Sequence, residues 1–453
     1  MSERTGRALL LVGMLVFTIA CAWRMERLCE TGTTRHPQDL ASINQAIWNS
    51  AHGNLLHATI LRVGARDHLE PILIVYGLNY RLGGSIYSLM AVHAFLISLG
   101  AVPFYLLGRQ RNLPVAESLL LSASYFLFPP LYHMMQSAWL RPVLLFFPAL
   151  TTMAYAIVFS KPRWLIASVV LALFCKESAG ITVFGLGIYL AFFERRWRVG
   201  GAVALLGAVW MPFVSFALLP WVSGMDVGHA SRIRPCSLDI LRRLTGKLWP
   251  VMVAAMVPCL LVMRRWAAVI GIPHMVGLLF FKTRLRYIIP IIPIPWFLAM
   301  DVLAGWRKVA WRRAFLVLLP VMMVTANIWL EYWEKLEPDT MIDAARPLMA
   351  MIPPDAAVCT NNRLLVHLSS RARIYEFNRR HRPRYDGRDY IDADYFLLTF
   401  SKEVRRPPFS RHRAAKNALE ELQERGLELV AKREPWKLFR RTGRLSGEEK
   451  DDE

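Results

Sequence analysis

Long apolar segments constrain this chain more than any other feature of its sequence. A membrane-spanning helix needs about 20 mostly apolar residues to cross roughly 30 Å of hydrocarbon. Hydrophobic residues make up 55% of the 453 residues, and ten segments approach the required length. Their approximate bounds are 8–23, 86–108, 114–132, 142–160, 165–193, 200–222, 248–263, 267–281, 287–305 and 314–332. We therefore expect a mainly α, polytopic transmembrane helical bundle over residues 1–332.

The excess of basic residues lies in the same part of the chain. Residues 1–332 hold 31 Lys and Arg against 13 Asp and Glu, whereas residues 333–453 hold 24 against 21. An evenly basic soluble protein would suggest nucleic acid as its partner, but here the excess lies in loops beside apolar segments. Loops that contact anionic lipid headgroups have this distribution. We expect the lipid bilayer as a partner and no nucleic acid.

The short basic loops predict an orientation, because Lys and Arg mark the cytoplasmic ends of membrane helices. With the N-terminus inside, the inside loops are Arg109/Arg111, Lys161/Arg163, Glu194–Arg198, Arg264/Arg265 and Arg307–Arg313. This scheme places a long first loop (24–85) and the C-terminal domain outside. The first segment could instead be a signal sequence, but nine further spans favour a retained helix.

Segment 165–193 has basic flanks at both ends, so the scheme needs it to enter and leave the membrane on one side. Its 29 residues suit a broken hairpin of two short helices that meet at Cys175–Gly180. One long tilted helix is the alternative. Lys176 and Glu177 lie at this point, and ionisable groups at such depth line a cavity or pair with other groups. A structural pair that holds the bend is the other interpretation.

Residues 333–443 predict a small soluble α/β domain. Its expected elements are a helix (340–351), a strand (356–360), a helical segment (364–369), two strands (373–377 and 395–400), an amphipathic helix (412–425) and a closing hairpin (427–431 with 436–439). The last ten residues, 444–453, are acidic, and we expect them to be disordered.

Carboxylates are scarce before residue 333, which limits the candidates for acid–base chemistry. Asp39, Asp67 and Glu70 share the first outer loop with His68. Asp39 lies at the start of an amphipathic helix that we expect to lie along the membrane interface. The dipole of this helix favours a carboxylate at its N-terminus. The structural alternative is that Asp39 only caps this helix.

A second group of candidates places three cations at an outer boundary, against the positive-inside trend. Lys282, Arg284 and Arg286 precede Tyr287 at the start of an apolar segment. Guanidinium groups bind phosphate oxygens bidentately, so a phosphate-bearing lipid head would explain these cations. Ordinary headgroup contact is the alternative.

Several motifs together resemble a known family. In chain order they are Asp39–Gly53, Asp67–Ile72, Gly100–Pro103, Lys176-Glu177, Arg286–Pro290 and Ile352–Val358. They are similar to a bacterial and archaeal family of predicted membrane proteins, a domain of unknown function, over roughly residues 35–400. That family in turn resembles the GT-C glycosyltransferases, multi-spanning enzymes that take a sugar from a polyprenyl-phosphate carrier.

The resemblance implies a GT-C-like fold and roles for the candidate residues. Asp39 would be the catalytic base, and Arg284 and Arg286 would hold the carrier phosphate. The other substrate-binding candidates are Lys282, Tyr287, Asp67, His68, Glu70, Lys176 and Glu177. The resemblance also implies a polyprenyl-phosphate-linked sugar as donor, and it is compatible with a divalent cation as cofactor.

The resemblance further implies a multi-pass protein of the bacterial or archaeal cytoplasmic (inner) membrane, with its C-terminal domain on the periplasmic side. Two departures stand against it. The family carries an acidic and histidine cluster where this chain has Ala138–Pro142, and an Asp where it has Ser178.

Three functions follow from these patterns. The first is a glycosyltransferase acting on an unknown envelope acceptor. The second is a transporter or flippase, since transporters also build sites from broken helices. The third is a non-catalytic partner or scaffold, which the departures at 138–142 favour.

Overall fold

The computed structural model describes residues 1–32, 37–60, 70–129, 131–132, 135, 140–218, 220–221, 293–329, 339–377, 393–399 and 426–442. The chain divides into two compact units. The first unit comprises Met1–Met25, Asp67–Ile72 and Tyr87–Lys335. The second comprises Glu26–Arg66, Leu73–Ile86 and Leu336–Glu453, so it combines parts of the first loop with the C-terminal domain.

Helices dominate the described residues, as the apolar segments predict. In chain order they are α1 Glu3–Glu30, α2 Pro37–Ala51, α3 Ile72–Arg81, α4 Ile86–Ser98, α5 Val102–Gln110, α6 Val115–Phe126, α7 Phe146–Val158, α8 Pro162–Cys175, α9 Ala179–Phe192, α10 Trp197–Phe213, α11 Pro293–Ala304, α12 Val309–Trp329 and α13 Thr340–Ala350. Short 3-10 turns, Leu99–Ala101 and Pro142–Leu145, lead into α5 and α7.

Three helical stretches of the described chain are long and apolar enough to cross a membrane. They are Glu3–Glu30, Ile86–Gln110 and Trp197–Leu218. Four other apolar helices are shorter than a full span: Val115–Phe126, Pro142–Val158, Pro162–Cys175 and Ala179–Phe192. The predicted segments 248–263 and 267–281 lie outside the described residues, so the number of about ten spans stays a prediction.

The first helix is longer than its apolar segment predicts. α1 continues to Glu30, seven residues beyond the predicted end at 23, because Trp23–Cys29 contains good helix formers and no Gly or Pro. The first loop therefore begins later than residue 24. Within the loop, α2 and α3 provide further helical structure.

The predicted break in segment 165–193 is confirmed. α8 ends at Cys175, Lys176 has an extended backbone (φ −169°, ψ 145°), and α9 begins at Ala179. The amides of Ala179 and Gly180 donate to the carbonyls of Lys176 and Glu177, which closes a tight turn. Whether the two helices enter and leave the membrane on one side stays a prediction.

Glycine residues bring α9 and α10 into close contact. Gly180 and Gly187 are seven residues apart on α9, and Gly200 and Gly207 have the same spacing on α10. A Cβ added at Gly187 would overlap the backbone of Ala204. Small residues at this spacing let two apolar helices pack backbone to backbone, as in membrane helix pairs.

The second unit contains a five-stranded sheet, which confirms the small C-terminal sheet. Its strands are β1 Val358–Thr360, β2 Ile374–Glu376, β3 Tyr395–Thr399, β4 Leu427–Arg433 and β5 Trp436–Arg441. Their order is β2-β1-β3-β5-β4. β1 pairs in parallel with β2 and β3, whereas β5 is antiparallel to β3 and β4. The predicted hairpin is therefore present at the end of the sheet.

One predicted element of this domain is wrong and one is outside the described residues. Residues 364–369 were expected to be helical, but only the 3-10 turn Asn362–Leu364 is regular. The connection between β1 and β2 is short, and Arg371 fixes it by donating to the carbonyls of Leu368 and Ala356 at 2.9 and 3.2 Å. The predicted helix 412–425 is not among the described residues.

An apolar core lies on one face of the sheet, and α13 packs against the hairpin. The core contains Tyr375, Phe396, Leu398 and Phe439, all buried. The indole of Trp436 is fully buried and donates to the carbonyl of Met341 at 2.7 Å. Trp436 therefore fixes the first turn of α13 to the hairpin.

Candidate functional site

The structure describes four of the ten predicted site residues. Asp39 belongs to the second unit, whereas Glu70, Lys176 and Glu177 belong to the first. The other six lie outside the described residues: Asp67, His68, Lys282, Arg284, Arg286 and Tyr287. The roles of these six stay predictions.

A stripe of polar side chains holds α2 in the second unit. Gln38, Gln45 and Asn49 lie on one helix face because they recur at helical spacing. The amide of Gln38 donates to both carboxylate oxygens of Glu376 at 2.5 Å. The amides of Gln45 and Asn49 donate to the carbonyl of Ala372 at 2.9 and 3.4 Å. The polar face of α2 is therefore buried within its own unit.

Thr59 covers the outer edge of β2, the edge strand of the sheet. Its hydroxyl donates to the Ile374 carbonyl at 2.6 Å and accepts from the Ile374 amide at 3.0 Å. It also accepts from the Gln45 side chain at 2.9 Å. One O–H donor and two lone pairs are thereby used. Side chains of the first loop thus replace a neighbouring strand and protect an edge that would otherwise invite aggregation.

Asp39 lies in the first turn of α2 and is half-buried, although ten residues of this helix are fully buried. The helix begins at Pro37, a favoured first residue because the missing N–H needs no partner there. Asp39 is therefore the third helical residue, and the interpretation as an N-cap is wrong. Its carboxylate lies in the first turn, where the helix dipole favours negative charge.

The helix break in the first unit holds buried charge. Glu70, Lys176 and Glu177 are only 3%, 8% and 7% exposed. Glu70 lies close enough to Cys175 for its charge to act on that thiol. The structure therefore brings Glu70 from the first loop to the break. Two carboxylates and one ammonium share this buried environment, where charges are costly without opposite charges nearby.

The opposite end of the first unit, which we call the basic end, brings together residues from three of the five predicted inside loops. Arg109 pairs with Glu3 at 2.9 Å, and Arg111 pairs with Asp301 at 2.7 Å. Glu117 accepts from Arg312 and Arg313, each at 2.8 Å. The Arg111 guanidinium also lies 5.4 Å from the ring centre of Phe159, at the α7–α8 turn. These three loops share one end, and its side of the membrane stays a prediction. Arg264 and Arg265 lie outside the described residues.

The break end is the other end of the first unit, and we define it by Arg24, Arg141, Lys176 and Glu177. Arg24 lies 21 residues after Glu3 on α1, which is about 30 Å along a helix. α7 and α8 leave the same short turn and pack side by side, and α8 also contacts the Pro142–Leu145 turn. Arg141 and Lys176 therefore lie at the same level, far from the basic end.

Sequence reasoning did not select Arg24 and Arg141 as site residues. Arg24 was assigned to the first loop because the apolar segment ends at residue 23, yet it is 8% exposed on α1. Arg141 is half-buried directly before the Pro142–Leu145 turn. The available signal was the position of each arginine directly beside an apolar segment.

Ion pairs and buried polar groups fix the α1 end and the C-terminal domain within the second unit. Arg346 pairs with Glu30, and Arg363 pairs with Asp339, which caps α13 by accepting from the Met341 amide at 3.0 Å. Gly32 has a positive φ of 60°, and a Cβ there would lie 2.6 Å from the Asp339 carboxylate. Only glycine allows this close approach without strain.

Two side chains of this unit have shifted pKa values. Burial lowers the pKa of Arg371 to about 10, which leaves it charged at neutral pH. Burial and the nearby Arg346 lower the pKa of His367 to about 4. His367 is therefore neutral in the folded protein under ordinary conditions.

A metal site is not assembled by the described residues. Among them, no group of three or more His, Cys, Asp and Glu side chains could hold a metal ion. Asp67 and His68 are not part of that set, so the divalent cation stays a prediction.

Comparison with known proteins gives one family. No curated protein matches the chain. The model of the family described as "Predicted membrane protein (DUF2079)" matches residues 38–234 and 237–433. The two matches cover most of the chain, including α2, the helix break and the sheet. The chain therefore belongs to this family of predicted membrane proteins.

Proposed function

We propose that this protein is a membrane glycosyltransferase. It transfers a sugar from a polyprenyl-phosphate-linked donor to an envelope acceptor on the outer face of the membrane. The observation that carries the proposal is the position of Asp39, half-buried in the first turn of a helix that is otherwise almost wholly buried. A general base needs both a fixed position and access to the proton that it takes.

The reaction is a substitution at the anomeric carbon of the donor. Asp39 takes the proton of the acceptor hydroxyl as its oxygen forms the new bond to carbon. The bond from carbon to the phosphate oxygen breaks, and the carrier phosphate leaves with the electron pair. Lys282, Arg284 and Arg286 stabilise the departing phosphate, as cations do for developing negative charge.

The buried charges of the break complete the donor site. Lys176, Glu177 and Glu70, which are buried in an apolar helical unit, bind the polar groups of the donor in this proposal, because ionisable groups buried among apolar helices are commonly functional. Tyr287, Asp67 and His68 contact the sugar or its carrier. A divalent cation, if bound, would act as a further Lewis acid on the phosphate.

A transporter of a lipid-linked or small polar substrate is the second candidate. The observation that favours it is the interruption between α8 and α9 at two buried charged residues. Transporters bind substrates and ions at such breaks. In that case Lys176 would be essential and Asp39 would be dispensable.

Mass spectrometry of lipid-linked saccharides and surface glycans tests these functions. We compare wild-type cells with a deletion strain and with strains carrying Asp39→Asn, Lys176→Met or Arg286→Ala. If the protein is a transferase, the deletion, Asp39→Asn and Arg286→Ala strains should show the same two changes. One glycan should be shorter by one sugar, and the lipid-linked donor of that sugar should accumulate.

Two other outcomes separate the remaining functions. A transporter predicts accumulation in the deletion and Lys176→Met strains only. A non-catalytic partner predicts that the deletion alone changes the profile. Either result would overturn the assignment of Asp39 as a base.

A further inference from the structure

One side of α3 is apolar and exposed. It consists of four large side chains that are between 39% and 87% exposed: Ile74, Val75, Leu78 and Leu82. Their intervals of one, three and four residues confine them to an arc of about 100° around the helix. The amide of Leu82 donates to the Leu78 carbonyl at 3.0 Å, so Leu82 continues the helical turn. We call these four residues the outer face of α3.

The opposite side of α3 packs within the second unit, to which the helix belongs from Leu73 onward. Leu73, Tyr76 and Gly77 are buried there. A Cβ added at Gly77 would lie 3.2 Å from the amide nitrogen of Ala51, so α3 and the end of α2 are in close contact. The Arg81 Nε donates to the Ala51 carbonyl at 3.1 Å. The side of α3 that packs on protein is therefore filled, and the outer face points away from it.

The composition of α3 is not that of a helix between a protein core and water. Such a helix carries polar side chains on the side that faces water, whereas α3 is apolar on two opposite sides. A contiguous exposed apolar surface marks a contact with another molecule or with a membrane. α2 offers no comparable surface, since ten of its fifteen residues are buried. The interfacial position that we expected for α2 therefore suits α3 better.

The position of α3 in the chain indicates that its outer face contacts lipid. The chain belongs to a family of predicted membrane proteins, and Ile86–Gln110 is long and apolar enough to cross a membrane. Only residues 82–85 separate α3 from this stretch, and the Asn79 side-chain amide donates to the Ser85 carbonyl at 3.0 Å across the turn. Because four peptide units extend to at most about 14 Å, the outer face ends within that distance of the first residue of the span.

We infer that α3 is an interfacial helix whose outer face enters the lipid bilayer and holds the second unit on the membrane surface. Interfacial helices lie in the membrane plane with their apolar side about 5–10 Å deep, at the boundary between headgroups and acyl chains. Arg81 is exposed and follows Leu78 by three residues, so it flanks the outer face. Its long side chain can extend to the phosphate groups of the lipids. Because α2 packs on α3, this docking also links α2 and Asp39 to the membrane surface.

The experiment places the photoreactive amino acid p-benzoylphenylalanine at Val75 or at Leu78 of the full chain. The protein is reconstituted in vesicles of phosphatidylethanolamine and phosphatidylglycerol and irradiated, and mass spectrometry identifies the cross-linked molecule. The matched control carries the same amino acid at Glu434, whose side chain is 70% exposed in the β4–β5 hairpin of the same unit. We expect lipid adducts at Val75 and Leu78 to exceed those at Glu434 by at least about fivefold, because only the outer face lies among acyl chains.

Four results would overturn the inference. Cross-links to a second copy of the chain would make the outer face a dimer contact, and cross-links only within the chain would mean that another segment covers it. The absence of any adduct, or equal lipid labelling at Glu434, would also contradict it. Both replaced side chains of α3 are exposed, so neither substitution has to fit a core. The readout is contact with lipid, so the result does not depend on whether the protein is a transferase.

Discussion

His367 contacts the end of α1 in the second unit. Its ring bonds to the Cys29 backbone, and Arg346 and Asp339 act on its charge. With a folded pKa of about 4 and an ordinary value of 6.5, the unfolded chain binds a proton between these pH values and the folded protein does not. The contribution of His367 to the free energy of unfolding is therefore fully present above pH 6.5. It falls as the pH drops towards 4 and changes no further below pH 4.

We predict that His367→Gln removes this pH dependence, which amounts to about 2–3 kcal/mol between pH 7 and pH 4. The measurement is the apparent melting temperature of the purified protein across that range. His52→Gln, which replaces an exposed histidine of the same unit, is the control and should retain the wild-type slope. An unchanged slope in His367→Gln would show that other groups cause the acid sensitivity.

The candidate residues were predictable to different degrees. Asp39, Lys176 and Glu177 were selected because a carboxylate or an ammonium stands out in an apolar sequence. The approach of Glu70 to the break was not predicted, because a contact between residues more than 100 positions apart depends on helix packing. Arg24 and Arg141 were missed because arginines at the ends of apolar segments look like headgroup anchors until their burial is known.

The α9–α10 pair depends on the absence of side chains at its contact. We predict that Gly187→Leu destabilises the protein by about 3 kcal/mol or more, because its side chain would overlap the backbone of α10. Gly201→Leu is the matched control, since an added Cβ there meets no atom within 4 Å. The measurement is the melting temperature and the yield of membrane-extracted protein. Equal losses in both variants would contradict the close packing.

The edge of β2 depends on one hydroxyl of the first loop. We predict that Thr59→Val lowers the free energy of unfolding by about 2–3 kcal/mol, because the Ile374 amide and carbonyl lose their partner. Thr442→Val is the control, since that hydroxyl is exposed and donates to the Gly426 carbonyl. Thermal unfolding of both variants in the same detergent measures the difference. Similar midpoints would show that water replaces the Thr59 hydroxyl at no cost.

Element types were predicted better than element ends. The helix break was correct because two charged residues interrupt an apolar run. The strands around β1 and the final hairpin were correct because their apolar residues are short runs with turn residues between them. The predicted end of α1 was wrong because good helix formers without Gly or Pro continue the helix beyond its apolar segment. The stretch 364–369 was wrong because Arg371 stabilises a non-helical connection that propensity does not encode.

On the scale of the whole molecule, the second unit is assembled from distant parts of the chain. α2 and Thr59 bond to residues more than 300 positions later, and the Tyr80 hydroxyl donates to Asn44 at 2.6 Å within the same network. Burial raises the pKa of Tyr80, so it stays a donor at physiological pH. The first-loop helix and the C-terminal domain therefore belong to one compact unit, which the sequence pattern alone does not reveal.

We predict that residues 333–453 produced alone do not fold, because the edge of β2 and the partners of α2 are exposed. The fragment should aggregate, whereas a fusion that adds residues 37–86 through a flexible linker should be more soluble. Size-exclusion chromatography and circular dichroism measure both. A monomeric fragment 333–453 with a cooperative melt would contradict the assembly described for this unit.

The most direct test of the account is the activity of Asp39→Asn at wild-type abundance in the membrane. Its loss of charge should change the free energy of unfolding by less than about 1 kcal/mol, since Asp39 is half-buried at a helix N-terminus. Asp343→Asn, which neutralises an exposed carboxylate in the first turn of α13, is the matched control. We predict that Asp39→Asn abolishes sugar addition to the glycan that the deletion alters, while Asp343→Asn retains it. Full activity of folded Asp39→Asn would contradict the central claim.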